Sequence, residues 1–510
     1  MEAFVEPSES ELDKFSEIIL LVKADSIEEI APDDLINIQP ISSDEIEIAG
    51  FIGQEEIFDA DVEGIEGLDL RFMQISFELN GSYYGFFYSA ERDVFDKYKM
   101  VVRYMASQLK LGKVIFNDIN QSSDLNEPGK PAIATDGDDF FVVSCRVSGD
   151  WPFSSDLIGR IVRNDRSTTD EFVIHSNVDE GFSNPCTTYG AVFDGLNYIV
   201  VYATKYNGNR RILAKRFSQS GEVIDHQPID ISQNENVHAS LPAIAFDGNR
   251  SLVVWFEAAM IKAAFINQNA VVTNGFIIEA GLNGFQAPQI AFGDNQFMVI
   301  WNQFFLDSMR QKSMPIHGQL IDLSGNLLLP NALKIRSDNG DNPRYAQISS
   351  DGSSYLIGWI EGLLETNLRG AGSFTVYARK VSGQGVLSNG SADSVGLEVA
   401  SPLIVSEISS YNSEAPKDFL NLSYEKGNYL FLWSSANYGP EAGVYGVKVS
   451  SDLTTISNVM AIPGSQYDVY VGGHLNPGQP NTVTSLKDTL VVWPSNKDLE
   501  GWYINLETSF

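Results

Sequence analysis

Leu241-Pro-Ala-Ile-Ala-Phe-Asp-Gly-Asn-Arg-Ser-Leu-Val-Val-Trp255 is the stretch that decides the fold, because it reads as a strand, a tight turn and a second strand. Residues 243–246 form a short apolar run after a proline. Asp247-Gly248 then supplies the residue with positive φ that a tight turn needs. The apolar run that ends at Trp255 is the returning strand. The stretch therefore predicts an antiparallel strand pair.

The same strand pair recurs seven more times along the chain. In most copies an aromatic residue stands eight residues after the turn, and Ser144 takes this place after Asp136-Gly137. The aromatic residues of the series are Tyr88, Tyr202, Trp255, Trp301, Trp359, Trp433 and Trp493. The prolines that precede the first strand are Pro131, Pro185, Pro242, Pro288, Pro343, Pro416 and Pro480. Self-similarity at this spacing predicts a repeat architecture.

Each unit continues with a third and a fourth strand-like run, such as residues 261–266 and 275–279. Four short antiparallel strands per unit are the content of a propeller blade. We therefore expect an all-β chain, a β-propeller of about eight four-stranded blades, with seven as the alternative. A degenerate first blade would run from about residue 72 to residue 118. The aromatic residues should be buried between neighbouring blades.

The last unit contains only three strand-like runs before the chain ends at Phe510. An open strand edge invites aggregation, and closure of the ring removes it. Residues 35–38 and 46–52 alternate like strands and have no blade of their own, so we expect one of them to complete the last blade. Before them, a capping-box pattern at residues 8–11 and apolar residues at helical spacing predict a short N-terminal helix.

The charge of the chain is strongly negative and unevenly distributed. The 510 residues include 34 Lys and Arg against 67 Asp and Glu, a formal net charge of −33. Residues 1–70 contain 21 acidic residues against Lys14 and Lys23. We therefore expect an acidic N-terminal extension over residues 1–70 and a propeller over residues 71–510. A nucleic acid is excluded as a partner, because phosphate affinity comes from Lys and Arg.

Cysteine content and hydropathy bear on the compartment. Cys145 and Cys186 are the two cysteines, and they form either one bridge between adjacent blades or two separate buried thiols. No run approaches the roughly 20 apolar residues that span a bilayer, so no transmembrane segment is expected. Either the protein is cytoplasmic or the numbering begins after a removed signal. The composition favours the second, hence an extracellular, cell-surface or periplasmic location.

Motifs that carry catalysis are absent from the sequence. It has no Gly-x-Ser-x-Gly elbow, P-loop, His-Glu-x-x-His or Cys-x-x-Cys, so a non-enzymatic role is favoured. Four residues lie in the connections that lead into inner strands, where blades converge on the axis. These candidate binding residues are Asn184, His238, Arg344 and Asn481. Trp151 and Phe304 lie in long insertions between second and third strands and add apolar bulk to one rim.

No cofactor is expected, with calcium as the one alternative. Asp59-Ala-Asp-Val-Glu-Gly64 matches the opening of an EF-hand loop, with oxygen-bearing residues at positions one, three and five and a glycine at six. Leu70 stands at position twelve, where a bidentate glutamate belongs. An acidic connector is therefore the simpler interpretation.

The repeat resembles the tandem propeller repeats of secreted and surface-attached bacterial proteins. The residues that carry the resemblance are Pro-Ala-Ile-Ala-Phe-Asp-Gly…Leu-Val-Val-Trp at 242–255 and Ile-His-Gly-Gln-Leu-Ile-Asp-Leu-Ser-Gly-Asn-Leu-Leu-Leu-Pro at 316–330. The resemblance covers about residues 72–510. It implies an exported β-propeller and says little about activity.

Three functional hypotheses remain. The first is an exported, non-catalytic binding or structural module that contacts a protein or a glycan through its loop-rich rim. The second is a carbohydrate-active hydrolase or lyase with its site in the axial funnel, which would need two carboxylates or a Tyr/His/Arg set there. The third is a subunit of a larger surface assembly, attached through the acidic N-terminal segment.

Overall fold

The computed structural model describes most of the chain as β-structure. The described residues are 2–4, 17–24, 35–48, 51–62, 69–79, 82–92, 95–96, 99, 103, 113–116, 131–148, 154–165, 167–176, 189–206, 208–233, 237–282, 287–303, 305–306, 312–338, 343–364, 372–388, 390–405, 420–435, 443–462, 481–484, 489–494 and 499–504. The chain forms two compact units, Met1–Leu111 and Gly112–Phe510. The boundary predicted at residue 70 is therefore too early, because the strands on either side of it belong to one sheet.

The first unit contains a six-stranded antiparallel sheet with strand order β1-β2-β6-β5-β4-β3. Its strands are β1 (Glu2–Phe4), β2 (Glu17–Ala24), β3 (Leu35–Ile48), β4 (Phe51–Val62), β5 (Leu70–Leu79) and β6 (Ser82–Glu91). Phe58, Phe72 and Phe87 are buried together on one face of this sheet, with ring centroids 5.5–6.4 Å apart. This sheet takes up residues that were predicted as a helix, a closing strand and a first blade.

Those three predictions are wrong in the described residues. Glu17–Ala24 is a strand because it pairs along its whole length with β6, so the predicted helix does not extend over it. Residues 5–16 lie outside the described residues. Leu35–Ile48 pairs with β4, so it does not complete the last blade. Leu70–Leu79 and Ser82–Glu91 pair with each other inside the six-stranded sheet and form no blade.

The second unit is a β-propeller whose described residues form seven four-stranded antiparallel sheets rather than eight. One strand, β7 (Lys113–Phe116), precedes them. Blade 1 is β8 (Ala132–Thr135), β9 (Phe140–Ser148), β10 (Ser154–Val162) and β11 (Phe172–His175); blade 2 is β12 (Tyr189–Phe193), β13 (Tyr198–Tyr206), β14 (Asn209–Phe217) and β15 (Ile229–Asp230); blade 3 is β16 (Ala239–Phe246), β17 (Arg250–Glu257), β18 (Met260–Asn267) and β19 (Phe276–Ala280).

Blade 4 carries a small extra hairpin between its second and third strands. It is β20 (Gln289–Gly293), β21 (Gln296–Asn302), the hairpin β22 (Phe305–Leu306) and β23 (Lys312–Ser313), then β24 (Ile316–Asp322) and β25 (Leu333–Arg336). Blade 5 is β26 (Arg344–Ser350), β27 (Ser354–Leu364), β28 (Gly372–Ser382) and β29 (Leu397–Val405); blade 6 is β30 (Leu420–Glu425), β31 (Asn428–Ser435), β32 (Gly443–Ser450) and β33 (Met460–Ala461); blade 7 is β34 (Asn481–Thr484), β35 (Thr489–Pro494), β36 (Leu499–Ile504) and β7.

Successive blades contact one another through their first strands, and the first strand of blade 7 contacts that of blade 1. Blade 7 receives its fourth strand from the other end of the propeller sequence, because Lys113–Phe116 pairs antiparallel with β36. A strand from before blade 1 therefore covers the edge that the last unit leaves open. This is the role that we predicted for residues 35–38 or 46–52, and a different segment performs it.

The repeated aromatic residues lie in the core of the propeller, as predicted. Tyr202, Trp255, Trp301, Trp359 and Trp433 are each at most 3% exposed. Each belongs to an apolar cluster built from two neighbouring blades. Tyr88 is also buried, but it lies in the six-stranded sheet. The side chain of Trp493 lies outside the described residues.

Polar groups also join the blades. The indole N–H of Trp359 donates to Glu361 Oε1 at 2.6 Å, and Arg336 of the preceding blade donates to both carboxylate oxygens at 2.6 and 3.1 Å. Arg336 and Glu361 are both buried. Each buried charge here has a partner of opposite sign, which offsets part of the cost of removing it from water.

Candidate functional site

The antiparallel strands give the propeller two different ends. The first strands begin at one end, where the connections between second and third strands also lie; we call this end the loop face. The turns between first and second strands lie at the other end, the turn face. Contacts between blades agree with this division. Asn302, at the end of β21, donates to the carbonyl oxygen of Pro343 just before β26 at 3.0 Å, and Tyr355 joins two turn-face segments by donating to Gly293 O at 2.7 Å.

On the turn face, the connections between first and second strands are short and largely satisfy their own backbone groups. Oδ1 of Asp194, Asp247 and Asp351 each accepts two backbone N–H groups within its own turn, at 2.7–2.9 Å. Connections from one blade to the next lead into the loop face, and some are longer in sequence: fourteen residues separate Val405, the end of β29, from Leu420, the start of β30. Recognition surfaces are commonly built from such loops on a rigid scaffold.

Strand register defines an equivalent residue on the first strand of every blade, near the loop face. It is the residue that pairs with the one immediately before the repeated aromatic position, and we call it the mouth position. The seven mouth positions are Ala132, Gly190, Ala243, Gln289, Gln347, Asn421 and Asn481. Blades 4 to 7 therefore place four carboxamides side by side at one level, while blades 1 to 3 have small residues there.

The amides of blades 6 and 7 form a chain of hydrogen bonds that reaches blade 1. Asn481 Nδ2 donates to the carbonyl oxygen of Pro131 at 2.9 Å, and Asn481 Oδ1 accepts the N–H of Thr482 at 2.9 Å. These two bonds fix which end of the Asn481 amide is oxygen. Asn421 must then present its own NH₂ to Asn481 Oδ1, at 2.8 Å.

This arrangement leaves the oxygen of the Asn421 amide without a hydrogen-bond partner among the described residues. Asn421 is 5% exposed, so its Oδ1 is shielded from bulk water. Ser423 lies two residues further along the same strand and hence on the same side of it. Its Oγ is also buried without a described partner. A buried acceptor and a buried hydroxyl therefore lie on the same side of β30, the side that faces blade 7.

Gln289 and Gln347 extend the carboxamides to blades 4 and 5. Both side chains are half-buried, as is that of Asn481. The residues on either side of Gln347, Ala346 and Ile348, pack against blade 4. Because side chains alternate along a strand, Gln347 points to the opposite side, toward blade 6. The four amides of blades 4 to 7 are called the amide arc below.

The residues predicted from the sequence are only partly brought together. Asn481 is a member of the amide arc. Arg344 lies on the same strand as Gln347, three residues closer to the loop face. His238 is exposed on the loop face, where its Nδ1 accepts the N–H of Arg210 at 3.1 Å. The remaining candidates, Asn184, Trp151 and Phe304, lie outside the described residues and stay predictions.

The distance from the repeat proline to the mouth position varies between blades, which explains why the sequence did not reveal the arc: Pro288 directly precedes Gln289, whereas Pro416 lies five residues before Asn421. The first strands of blades 3 and 5 shift register between Ser240 and Ala243 and between Arg344 and Gln347. Leu241 and Tyr345, at the bulges, have φ of 58° and 56°, which is unusual for bulky side chains. The repeat prolines therefore do not mark one structural position. Counting back from the aromatic residue would have aligned the amides.

Two histidines near the blade interfaces, His175 and His317, are held neutral by burial. Burial lowers the pKa of His175, with the charge of Lys215 as the second cause. Burial also lowers the pKa of His317 to about 4, again with a smaller contribution from a lysine, Lys334. Both imidazoles are therefore neutral near pH 7, and neither belongs to the amide arc.

Calcium binding near residue 59 stays a prediction. Asp59 lies on β4, where its carboxylate pairs with Arg71 at 2.8 Å and Arg92 at 3.2 Å. A cation would compete with these two arginines for the oxygens. Within the described ranges, no group of three or more His, Cys, Asp or Glu side chains is arranged to hold a metal ion.

Cys145, on the second strand of blade 1, is disulfide-bonded. The sequence contains one other cysteine, Cys186, which lies outside the described residues. The sequence left open either one bridge or two separate thiols, and the bonded state of Cys145 agrees with the bridge. In the part of the chain that is described, no helix has the length and apolar character needed to cross a membrane.

The known proteins that this chain resembles share its fold at low identity. No protein-family model and no curated protein matches the sequence. Among solved structures, an arabinanase from Bacillus subtilis is 16% identical, with a TM-score of 0.30, over 50% of this chain and 95% of that one. A GH43 protein from Bacillus licheniformis is 10% identical, with a TM-score of 0.33, over 77% and 91%. A puromycin hydrolase is 12% identical, with a TM-score of 0.36, over 75% and 61%.

At these identities and TM-scores, the chemistry of those proteins does not carry over to this chain. Its function has to be inferred from its own residues.

Proposed function

We propose that this protein is an exported β-propeller that binds a glycan at its loop face without transforming it. The observation that carries this proposal is the amide arc, four carboxamides at equivalent positions on four consecutive blades. A carboxamide offers both an acceptor oxygen and two N–H donors in a fixed geometry. Sugar hydroxyls need the same combination of donors and acceptors, so the arc suits a polyhydroxyl ligand.

Binding is favoured over hydrolysis because of what the mouth positions contain. Glycoside hydrolysis uses two carboxyl groups, one of which must transfer a proton. Carboxamides do not titrate near neutral pH, and alanine and glycine occupy the other three mouth positions. A carbohydrate-active hydrolase or lyase with its site in the funnel is the alternative that the experiment below has to separate from binding.

The disulfide supports export. Disulfides persist in oxidising compartments and are rare in the cytosol. A bridged Cys145 is therefore consistent with an extracellular, cell-surface or periplasmic location. Attachment to a larger surface assembly is a compatible proposal, with the acidic segment over residues 1–70 as the contact.

The experiment is retention on a panel of immobilised neutral and acidic polysaccharides, with released reducing ends measured in the same samples. The matched variants are Asn481→Ala in the arc and Asn249→Ala in a turn on the opposite face. We expect the wild-type protein and Asn249→Ala to be retained, Asn481→Ala to be retained less, and no reducing ends to appear. Release of reducing ends would support the hydrolase. Equal retention of both variants, or no retention of any, would contradict the loop-face proposal.

A further inference from the structure

We infer that the outer edges of blades 3 and 4 form a contact surface for a second copy of this chain. The surface consists of residues 268–278, which run from β18 into β19, and residues 323–333, which run from β24 into β25. We call it the outer patch. The inference is independent of glycan binding, because the outer patch lies at the opposite edge of the blades from the first strands, which carry the amide arc.

Exposed aliphatic side chains of the propeller are concentrated at the outer edges of the blades. Among the described residues, every exposed large aliphatic side chain of the propeller except that of Leu196 lies on a fourth strand or in the connection that leads to one. Exposed apolar side chains that are grouped in this way commonly mark an interaction surface. The outer patch contains five of them, each 41–59% exposed: Val271, Ile277, Leu323, Leu327 and Leu328.

The two segments of the outer patch are continuous in space. A Cβ placed on Gly325 would lie 3.3 Å from the Phe276 ring, so the turn after β24 packs directly against β19 of the preceding blade. Arg250 joins the same two blades, because its guanidinium lies 3.7 Å above the Phe265 ring and donates to the carbonyl oxygen of Leu323. The exposed aliphatic side chains therefore share one surface that extends across two blades.

The outer patch carries no charged side chain. Its 22 residues include no Asp, Glu, Lys, Arg or His, although 20% of the residues in the chain are charged. All of them except Ile278 are at least partly exposed. Charged residues are depleted at the cores of protein interfaces, and homodimer interfaces are more apolar than those of transient complexes. An exposed aliphatic surface without charge is therefore typical of a contact between identical chains.

A second copy of the chain is also the partner that the charges favour. The formal net charge is −33, so two copies repel each other wherever their acidic surfaces approach. A twofold interface places the same surface on both partners, so it brings two uncharged patches together and keeps like charges out of the contact. A basic partner would find no carboxylate in the outer patch, and an acidic partner would find no cation. The size of the patch also fits, since each side of a stable interface contributes roughly 20–30 residues.

The test is sedimentation equilibrium of the full chain. By mass action, the dimer should become populated as the protein concentration rises from about 1 to 100 μM. Added salt should strengthen the dimer, because it screens the repulsion between two acidic chains. Val271→Asp should weaken dimerisation by at least about 10-fold, because each copy would have to bury a charge in the contact. Leu196→Asp is the matched control, since Leu196 is also 59% exposed but lies in a turn-face connection of blade 2. It should dimerise like the wild type.

Hydrogen–deuterium exchange at low and high protein concentration locates the contact. Exchange should slow at high concentration in peptides over residues 268–278 and 323–333, and not over residues 193–198. A chain that is monomeric at every concentration would overturn the inference. It would also be overturned by a dimer that the two variants affect equally, or by protection confined to other peptides.

Discussion

His317 on β24, which faces Trp301 on β21, gives the sharpest prediction about the stability of the protein. This imidazole stacks on Trp301, its cross-strand partner, with ring centroids 6.2 Å apart at 25°. Two other blades have a tyrosine at the equivalent position in the same arrangement: Tyr377 on Trp359 at 6.3 Å and 30°, and Tyr445 on Trp433 at 6.4 Å and 18°. His317→Tyr therefore copies a pairing that the fold already uses and removes one titrating group.

The magnitude follows from the pKa of His317, which burial lowers from 6.5 to about 4 in the folded protein. Between these values the unfolded chain binds more protons at this position than the folded one. Stability is therefore fully present above pH 6.5 and is lost as the pH falls toward 4. At about 1.4 kcal/mol per pH unit, the loss is on the order of 2–3 kcal/mol when partial exposure is allowed for.

The assay is urea unfolding, monitored by tryptophan fluorescence, at pH 7.5, 6, 5 and 4. The wild type should lose stability across this range, and His317→Tyr should lose about 2–3 kcal/mol less. Tyr377→His is the reciprocal control and should make the loss larger. If His317→Tyr and the wild type lose the same free energy between pH 6.5 and 4, then burial of this imidazole does not contribute to acid lability, and the reasoning is refuted.

Three further predictions concern packing, closure and the disulfide. A Cβ added to Gly396 would overlap the carbonyl oxygen of Ala378 and lie 2.7 Å from the Trp359 ring, whereas one added to Gly275 would lie 3.6 Å from the equivalent atoms. Gly396→Ala should therefore lower the free energy of unfolding in urea by about 1–3 kcal/mol and Gly275→Ala by less than half of that, and equal losses would contradict the packing. Removal of residues 1–116 deletes Lys113–Phe116 and exposes the edge of β36, so it should lower the melting temperature and promote self-association, measured by light scattering. Removal of residues 1–111 should do neither, and identical behaviour of the two truncations would refute closure by β7. Cys145→Ala should destabilise the protein by roughly 4 kcal/mol, the chain-entropy value for a loop that ends at Cys186, and an unchanged unfolding midpoint under non-reducing conditions would show that the bridge is absent.

Repeat spacing and turn chemistry were enough to predict the fold of residues 132–504. Asp-Gly turns predict the local strand pair, and the aromatic residue eight positions later predicts burial between blades. Both patterns are visible within a single repeat. Closure depends on a pairing between segments almost 400 residues apart in sequence. Nothing local distinguishes Lys113–Phe116, which forms this pairing, from residues 35–38 or 46–52, which do not. The N-terminal helix failed for the same reason, since pairing with β6 overrides helical spacing at Glu17–Ala24.

The candidate site was less accessible to sequence reasoning. Asn481 was identified because it follows a repeat proline, but Asn421 was not, because Pro416 lies five residues before it. In blade 5 the bulge at Tyr345 places Pro343 four residues before Gln347. Only strand register shows that four amides share one level. The unpaired oxygen of Asn421 cannot be inferred from any sequence pattern, since it depends on which amide end Asn481 presents.

Hydrogen–deuterium exchange tests the central claim most directly. The protein is compared with and without a polysaccharide that retains it, at saturating concentration. We expect slower exchange in peptides that cover the loop-face ends of the first strands, residues 343–350, 420–425 and 481–484, and no change in the turn-face peptides over residues 193–198 and 246–251. Slower exchange confined to the turn-face peptides, or no change anywhere with a bound polysaccharide, would contradict binding at the loop face.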